Sequence, residues 1–257
     1  MSFNPSNLKL TLDFATAYKE NGFSIIPLQR KSKKPSIDKW DPFKISYASK
    51  EQLENWFSND DNNIGIITGK ISGIFVIDID SKKAYEYYLN KIQSQSDRQL
   101  ISASENTMKI KTGSGNTNIV FRFNPQDFSP NELKNIVLWR ETDDNNGERI
   151  VDEQAKNNQN HSEIRLKGEG GYIVAPPSIH PNNNEYTLVN GIDPIILKRE
   201  QIQKLIELFS KDGFNRTKKS TNSISQIVEI LKTHYSNGIR NDLVLYLSGW
   251  LRKLGVS

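Results

Sequence analysis

The chain has 257 residues, of which 35% are hydrophobic and 25% are charged, and its formal net charge is +4. Four tryptophans, nine tyrosines and eleven phenylalanines can anchor a core, which excludes an intrinsically disordered chain. Cysteine is absent, so disulfides, Cys-ligated zinc, iron–sulfur clusters and thiol nucleophiles are excluded. The sequence has no run of about 18 apolar residues and no signal-peptide pattern, which predicts a cytoplasmic protein that does not enter a membrane.

The hydrophobic pattern mixes helices and strands along the whole chain, an order typical of an α/β or α+β fold. Helices are predicted over 8–21, 49–57, 81–93 and 197–209, and a short one from Ser129 through Val137. Strands are predicted over 23–28, 63–69, 73–80, 107–111 and 118–123. A flexible loop is predicted over 141–160, followed by a hairpin whose strands, 163–167 and 172–175, are joined through 168–171.

Composition divides the chain into three parts. Residues 1–209 carry all of the predicted strands and are predicted to form one domain. Residues 210–222 are polar, basic and short of apolar residues, which predicts a linker. Residues 223–257 are predicted to form a small C-terminal helical segment.

Two acids follow a nearly continuous β-branched run. Asp78 and Asp80 end the segment Ile74-Phe-Val-Ile-Asp-Ile-Asp, and positions i and i+2 of a strand share a face, about 7 Å apart. Two neighbouring carboxylates repel unless a cation lies between them, and oxygen-only ligands suit Mg²⁺ or Mn²⁺. A pair of such ions can clamp the attacking and leaving oxygens of a phosphoryl transfer. The alternative is a strand end whose acids face solvent or cap the next helix.

A glycine-rich turn separates the two following strands. Its residues include Ser114, Gly115 and Asn116, and turns of this kind let backbone N–H groups approach phosphate. Lys109 and Lys111 alternate onto one strand face and would add positive charge. The alternative is a plain hairpin turn, because the Gly-Lys-Ser/Thr of a Walker A loop is missing.

A third segment gathers charged residues before a glycine turn and then a serine and a histidine. Glu163, Arg165 and Lys167 share one predicted strand face, and Ser178 and His180 follow the turn. The alternative is an amphipathic hairpin with a solvated polar face.

Together these segments resemble the bifunctional DNA primase/polymerase (prim-pol) family of the archaeo-eukaryotic primase superfamily. The resemblance runs from about Ala15 to about Tyr186, and its most specific stretch is Gly170-Gly-Tyr-Ile-Val-Ala-Pro-Pro-Ser-Ile-His-Pro. It implies an α+β fold, with a modified RRM-like antiparallel or mixed sheet and flanking helices. It also implies a nucleotidyltransferase that makes primers or extends chains on single-stranded DNA with two divalent ions, Mg²⁺ or Mn²⁺. Plasmid, viral or mobile-element replication is the expected setting.

The resemblance also assigns residues. Asp78, Asp80 and Glu163 are the expected catalytic and metal-binding acids, although a shifted register would put Arg165 in the place of Glu163. The expected nucleotide contacts are Lys109, Lys111, Ser114, Gly115, Asn116, Asn118, Arg165, Ser178 and His180. The expected DNA contacts are Lys33, Lys34 and Lys167.

The chain departs from the family at one of these positions. Asn118 stands where the family has a histidine that contacts the triphosphate, and an asparagine carries no positive charge. We therefore expect weaker triphosphate binding unless Lys109, Lys111 or His180 compensates.

The C-terminal segment resembles the helical region that follows prim-pol domains in replication proteins. Those proteins often continue into a helicase, so a helicase domain in a longer protein is a further expected partner, beside DNA and nucleoside triphosphates. Two other functions remain open: a catalytically weak replication module that binds single-stranded DNA, and a metal-dependent phosphoesterase.

Overall fold

A computed structural model describes residues 10–129, 132–141, 162–189 and 193–210. The helices are α1 (Thr11–Glu20), α2 (Lys50–Phe57), α3 (Lys82–Gln93), α4 (Arg98–Asn106) and α5 (Arg199–Ser210), with 3-10 turns at Asp41–Lys44 and Pro125–Asp127. The strands are β1 (Ile25–Gln29), β2 (Asn62–Ile67), β3 (Ile74–Ile79), β4 (Lys109–Lys111), β5 (Thr117–Arg122), β6 (Ile136–Arg140), β7 (Glu163–Lys167), β8 (Tyr172–Ala175), β9 (Thr187–Leu188) and β10 (Ile195–Ile196). Ser210, the first residue of the predicted linker, ends α5. The loop at 141–160 except for residue 141, the rest of the linker and the C-terminal helical segment lie outside the described residues.

The strands form two sheets. The larger has the order β6-β7-β3-β5-β4-β9, with β10 added in parallel beside β5, and the smaller has the order β1-β2-β8. Apart from β10, the paired strands are antiparallel. The predicted α+β class is confirmed, whereas the RRM-like likeness stays a prediction.

Strand β3 is central because it pairs with β5 on one side and β7 on the other. Phe75, Ile77 and Ile79 pack on one face, in a core shared with helices α3, α4 and α5. Ile74 and Val76 pack on the other face, in a core shared with the small sheet and helices α1 and α2. Burial on both faces explains the nearly continuous apolar run of this strand.

The chain turns sharply at the end of β3. The Ser81 hydroxyl accepts a hydrogen bond from the backbone N–H of Ala84 at 3.0 Å, which caps the N-terminus of α3. Asp80 is therefore held between a buried strand and a capped helix.

The predicted hairpin at 163–175 is wrong, because β7 belongs to the large sheet and β8 to the small one. The connecting glycines do not fold the chain back on itself. The Gly168 N–H donates to the side chain of Asn135 at 2.8 Å, and a Cβ on Gly168 would lie 2.1 Å from the Leu133 carbonyl oxygen. The segment after β7 is thus fixed against residues 133–135, and it carries the chain from one sheet to the other.

The predicted helix from Ser129 through Val137 is also wrong in its second half, where Ile136 begins strand β6. The run Ile-Val-Leu-Trp is rich in β-branched and aromatic residues, and pairing with β7 decides its conformation. Helix α4 and the short strands β9 and β10 were not predicted. In the described part of the chain, no helix has both the length and the apolar character needed to cross a membrane.

Candidate active site

Asp78 lies where the polar part of one face of the large sheet begins. Its pairing partners are Asn118 on β5 and Arg165 on β7, and the preceding residue on this face, Val76, belongs to the core. The Lys167 ammonium lies 2.7 Å from a carboxylate oxygen of Asp78. The residue directly opposite Lys167 on β3 is Val76, two positions before Asp78. A long side chain can span this diagonal between strands.

Asp80 extends the pairing of β3 with β7 beyond the end of the strand. Its N–H donates to the carbonyl oxygen of Glu163 at 3.1 Å, and the Glu163 N–H donates back to the Asp80 carboxylate. Loss of solvent around the carboxyl group raises the pKa of Asp80 to about 6, and the charges of Glu163 and Asp78 add to this shift. The hydrogen bond from Glu163 acts in the opposite direction.

Glu163 is 4% exposed and is neutralised by two arginines. One carboxylate oxygen lies 2.7 Å from Arg165, on the same strand, and the other lies 3.1 Å from Arg140, on β6. The hydrogen bond to Glu163 raises the pKa of Arg165. Both oxygens of Glu163 are therefore engaged by cations within the fold.

The acids fit a divalent ion only in part. Asp78 and Asp80 offer hard oxygen ligands, and a cation would favour the ionised form of Asp80, whose pKa is raised first by burial and then by the neighbouring acids. Among the described residues, no group of three or more His, Cys, Asp or Glu side chains is arranged to hold a metal ion. The Asp78–Asp80 pair thus offers the kind of ligand that Mg²⁺ or Mn²⁺ takes, and ion binding by these two acids and by Glu163 stays a prediction.

Two buried oxygen atoms near Asp78 lack a hydrogen-bond partner within the described part of the chain. They are the side-chain carbonyl oxygen of Asn118 and the hydroxyl of Tyr186, each in a residue that is 3% exposed. Burial raises the pKa of Tyr186 to about 12, and the negative charge of Asp78 adds to the shift. Unsatisfied buried polar atoms are uncommon in folded proteins and often mark a functional position.

The glycine-rich segment forms the hairpin turn between β4 and β5. The N–H of Gly115 donates to the Thr112 carbonyl, and the N–H of Asn116 donates to the Thr112 hydroxyl, so both are used inside the turn. Ser114 bonds to the same Thr112 hydroxyl at 2.9 Å. The backbone N–H groups of Gly115 and Asn116, which we expected to bind phosphate, therefore already donate hydrogen bonds within the turn.

This turn packs against His180. A Cβ on Gly113 would lie 2.2 Å from the Cβ of His180, so only a glycine fits here. The side-chain amides of Asn182 and Asn184 donate to the Gly113 carbonyl at 2.8 and 3.0 Å. The Tyr186 ring lies 5.9 Å from the His180 ring, which connects the turn to the surroundings of Asp78.

The segment after β8 positions His180. The Ser178 hydroxyl is buried and accepts a hydrogen bond from the N–H of Ile64 at 2.8 Å, so it fastens β2 within the fold. The Asn63 side chain then bonds both the N–H and the carbonyl of Ile179, at 2.9 and 2.7 Å. The expected nucleotide contact of Ser178 stays a prediction, but its hydroxyl has a structural partner.

Not every expected nucleotide contact is near the acids. Lys109 and Lys111 pair with Ile119 and Thr117, and Ile119 packs in the core on the helix-covered face. The two lysines therefore lie on the opposite face of the sheet from Asp78. Arg165, Asn118 and Lys167, by contrast, share the face of the acids.

A cavity of about 380 Å³ is lined by two residues that form ion pairs with the acids, Arg165 and Lys167. Its lining also includes Gly170, Gly171 and Tyr172. The Tyr172 hydroxyl donates to the Lys33 carbonyl at 2.9 Å, so the exposed basic loop that carries Lys33 and Lys34 is tied to the cavity wall.

Sequence reasoning missed Arg140, because its segment was not recognised as a strand. A β-bulge between Val137 and Trp139 interrupts the alternation of this strand, so a regular pattern would have placed Arg140 on the face of Leu138 and not opposite Glu163. Trp139, the adjacent residue, packs on the helix-covered face, stacked on Tyr87 at 4.4 Å.

A model of the family "Bifunctional DNA primase/polymerase, N-terminal" matches residues 15–202, which is more than half of the chain and includes both sheets. The chain belongs to this family. Membership implies nucleotidyltransferase activity in general, and members generally use divalent metals. A search of curated proteins returned no match to the chain.

Proposed function

We propose that this chain is a DNA primase–polymerase that makes or extends primers on single-stranded DNA from nucleoside triphosphates. The observation that carries the proposal is the placement of Asp78 and Asp80 at the end of a central strand, on the open polar part of the sheet. A cavity lined by Arg165 and Lys167, which pair with the acids, and the His180 ring next to Tyr186 also support it. Replication of a plasmid, virus or mobile element is the proposed setting, and the domain boundaries at 209 and 222 remain part of the proposal.

Asp78 and Asp80 would hold the divalent ions, Mg²⁺ or Mn²⁺, with Glu163 as the proposed third ligand. When bound, such ions neutralise the charge that develops on the transferred phosphoryl group. For Glu163 to take part, it would have to exchange its bonds to Arg140 or Arg165 for one to the ion. A role in aligning β7 with β3 is the alternative, because its backbone pairs with Asp80 in either case.

The protein's own contribution to the reaction is positioning and charge. The 3′-hydroxyl of the growing chain attacks the α-phosphorus of the triphosphate in line, and pyrophosphate leaves. Arg165 and Lys167 lie between the acids and the cavity, where they would bind phosphate oxygens. His180 would add a donor on the other side, next to Tyr186.

The basic loop at the cavity wall is the proposed contact for the template backbone. Lys33 and Lys34 are exposed, and the Tyr172 hydroxyl fixes the loop through a backbone atom, so both ammonium groups stay available to phosphate. Contacts of this type add affinity without reading the base sequence.

A second candidate function is a replication module that binds single-stranded DNA and has little catalytic activity. The ion pairs favour it, because Asp78 and Glu163 already have internal cations and Asn118 lacks the charge of the family histidine. This candidate predicts DNA binding without metal-dependent synthesis.

One set of assays on the wild-type protein separates the candidates. Unprimed single-stranded DNA is supplied with Mg²⁺ or Mn²⁺ and labelled ATP or dATP. Metal-dependent chains longer than one nucleotide support the proposal, and the preferred label identifies the initiating nucleotide. DNA binding without synthesis would favour the weak module, and hydrolysis of the triphosphate without chain growth would favour a phosphoesterase.

A further inference from the structure

Two of the three carboxylates of the site form ion pairs with cations of the same chain. Glu163 is bonded to Arg140 and Arg165, and Asp78 is paired with Lys167. A divalent ion that binds Asp78 must therefore compete with an ammonium group that is already 2.7 Å from the carboxylate.

Arg165 and Lys167, the two cations of β7, differ in how easily each can leave its carboxylate partner. Arg165 is directly opposite Asp78 in the sheet, yet its side chain turns to Glu163 on its own strand. Lys167 reaches Asp78 diagonally from the position opposite Val76, so only its flexible side chain holds it there. An ammonium group is a point charge on four rotatable bonds and can change partner without movement of the strand.

The Lys167 side chain also has a second position available to it, in the cavity. It lines the cavity of about 380 Å³ together with Arg165, and its side chain is about 29% exposed, so it can turn from the acid towards the cavity. An anion that enters the cavity, such as a triphosphate, would attract it there.

We propose that Lys167 is an exchangeable counterion of Asp78, which a divalent ion displaces and which then binds a phosphate group of the incoming nucleotide. This inference rests on the proposed function, because it assigns a metal to Asp78 and a triphosphate to the cavity. It gives Asp78 a positive partner before the metal arrives. It also makes metal binding and nucleotide binding depend on each other through one side chain.

The test measures Mn²⁺ binding by electron paramagnetic resonance, with no nucleotide and no DNA present. Lys167→Met should bind Mn²⁺ about 3- to 10-fold more tightly than the wild type, the range expected when one partly exposed ion pair no longer has to be broken. Lys167→Arg keeps the charge and should bind Mn²⁺ more weakly than Lys167→Met. Lys50→Met is the matched control, because Lys50 is 88% exposed and pairs with Glu54 at 3.7 Å; it should leave Mn²⁺ binding unchanged.

A second measurement follows nucleotide binding to the Mn²⁺-loaded protein, with a non-hydrolysable triphosphate. Lys167→Met should weaken this binding about 3- to 10-fold, since a charge-assisted contact is lost. Melting temperatures of all variants confirm that they fold.

The outcomes separate the inference from the proposed function. If Asp78→Asn abolishes Mn²⁺ binding but Lys167→Met binds no more tightly than the wild type, the counterion role is wrong and the metal site stands. If Asp78→Asn binds Mn²⁺ as the wild type does, the metal is not at Asp78, and both the inference and the proposed site fail.

Discussion

Asp80, which follows β3, and Glu163, on β7, are joined by two hydrogen bonds, one between backbone groups and one from backbone to side chain. The Asp80 N–H donates to the Glu163 carbonyl, and the Glu163 N–H donates to the Asp80 carboxylate. This relationship brings a second carboxylate next to Asp80 by strand pairing alone, whatever the Glu163 side chain binds. It also keeps one oxygen of Asp80 oriented, which favours a pre-formed site over one assembled on binding.

The raised pKa of Asp80 predicts how the metal-free protein responds to pH. Its folded pKa of about 6 is above the ordinary value of 3.8, so its ionisation disfavours the folded state. The associated stability is present below pH 3.8 and is lost as the pH rises through about 6. Relative to Asp80→Asn, the wild type should therefore lose melting temperature between pH 4 and pH 7.5 in the presence of EDTA. An unchanged difference between the two proteins at both pH values contradicts the shift.

Metal binding should show the opposite dependence on pH, because a proton and a cation compete for the same carboxylate. At pH 5, a carboxyl group with a pKa of about 6 is only about one-tenth ionised, so Mn²⁺ should bind roughly tenfold more weakly than at pH 7.5. Titration of Mn²⁺ by electron paramagnetic resonance at the two pH values measures this. A less than twofold change is what an unshifted carboxylate would give.

Glu163→Gln should lower the free energy of unfolding by about 1–2 kcal/mol. The substitution removes the buried carboxylate to which Arg140 and Arg165 both bond, but both arginines are partly exposed, so the loss is smaller than for a fully buried pair. Urea unfolding measures it, with Glu54→Gln in the exposed pair on α2 as a control that should change little. A second readout, Mn²⁺ affinity, distinguishes the roles: a metal ligand loses affinity on substitution, and a purely structural residue does not.

Asn118→His should tighten triphosphate binding, because it restores the cationic donor that the family has at this position. The residue is buried and lies directly opposite Asp78 on the neighbouring strand, so a cationic ring there would stand beside the acids, where the triphosphate is proposed to bind. We expect a dissociation constant about 3- to 10-fold lower, measured with a non-hydrolysable triphosphate and Mn²⁺. Asn90→His, on the exposed face of α3, controls for the added histidine. Equal affinity of the wild type and Asn118→His, with melting temperatures preserved, contradicts the placement of the triphosphate at Asn118.

Gly113→Ala should displace His180. The new Cβ would lie 2.2 Å from the Cβ of His180 and 2.8 Å from the Asn184 carbonyl, so the two segments must move apart, at a cost of about 1–3 kcal/mol. Gly115→Ala is the matched control, since nothing lies within 4 Å of its Cβ and only the backbone strain of its φ of +89° is felt. The NMR shifts of the His180 ring should change with Gly113→Ala alone. If both variants leave them unchanged, the turn does not hold His180.

The local sequence pattern was enough to predict the strand and the helix that position Asp78 and Asp80. The β-branched run that ends at Asp78 and Asp80, and the serine that caps α3, are signals within ten consecutive residues, and strand β3 and helix α3 form as expected. The register that brings Glu163 to Asp80 is not local. It depends on pairing between strands more than 80 residues apart, which no nearby pattern encodes.

The hairpin predicted over 163–175 was wrong for the same reason, because the strand pairing there is not local. Gly168 and Gly170 are typical of a tight turn, but here Gly168 is required by close packing on the Leu133 carbonyl, so the chain crosses between the sheets. Likewise, Lys109 and Lys111 share a face as expected, and only the pairing of β4 with β5 reveals that it is the face opposite the acids. Alternation predicts that residues share a face but not which face it is.

The measurement that tests the central claim most directly is extension of a labelled primer on a single-stranded template by the wild type, Asp78→Asn and Asp80→Asn. Each reaction contains Mn²⁺ and all four deoxynucleoside triphosphates, and circular dichroism confirms that the variants keep the fold. The wild type should extend the primer, and each variant should lose at least about 100-fold of the rate, because the charge that positions the ions is gone. Extension by Asp78→Asn or Asp80→Asn at the wild-type rate would contradict the assignment of these two acids as the catalytic centre.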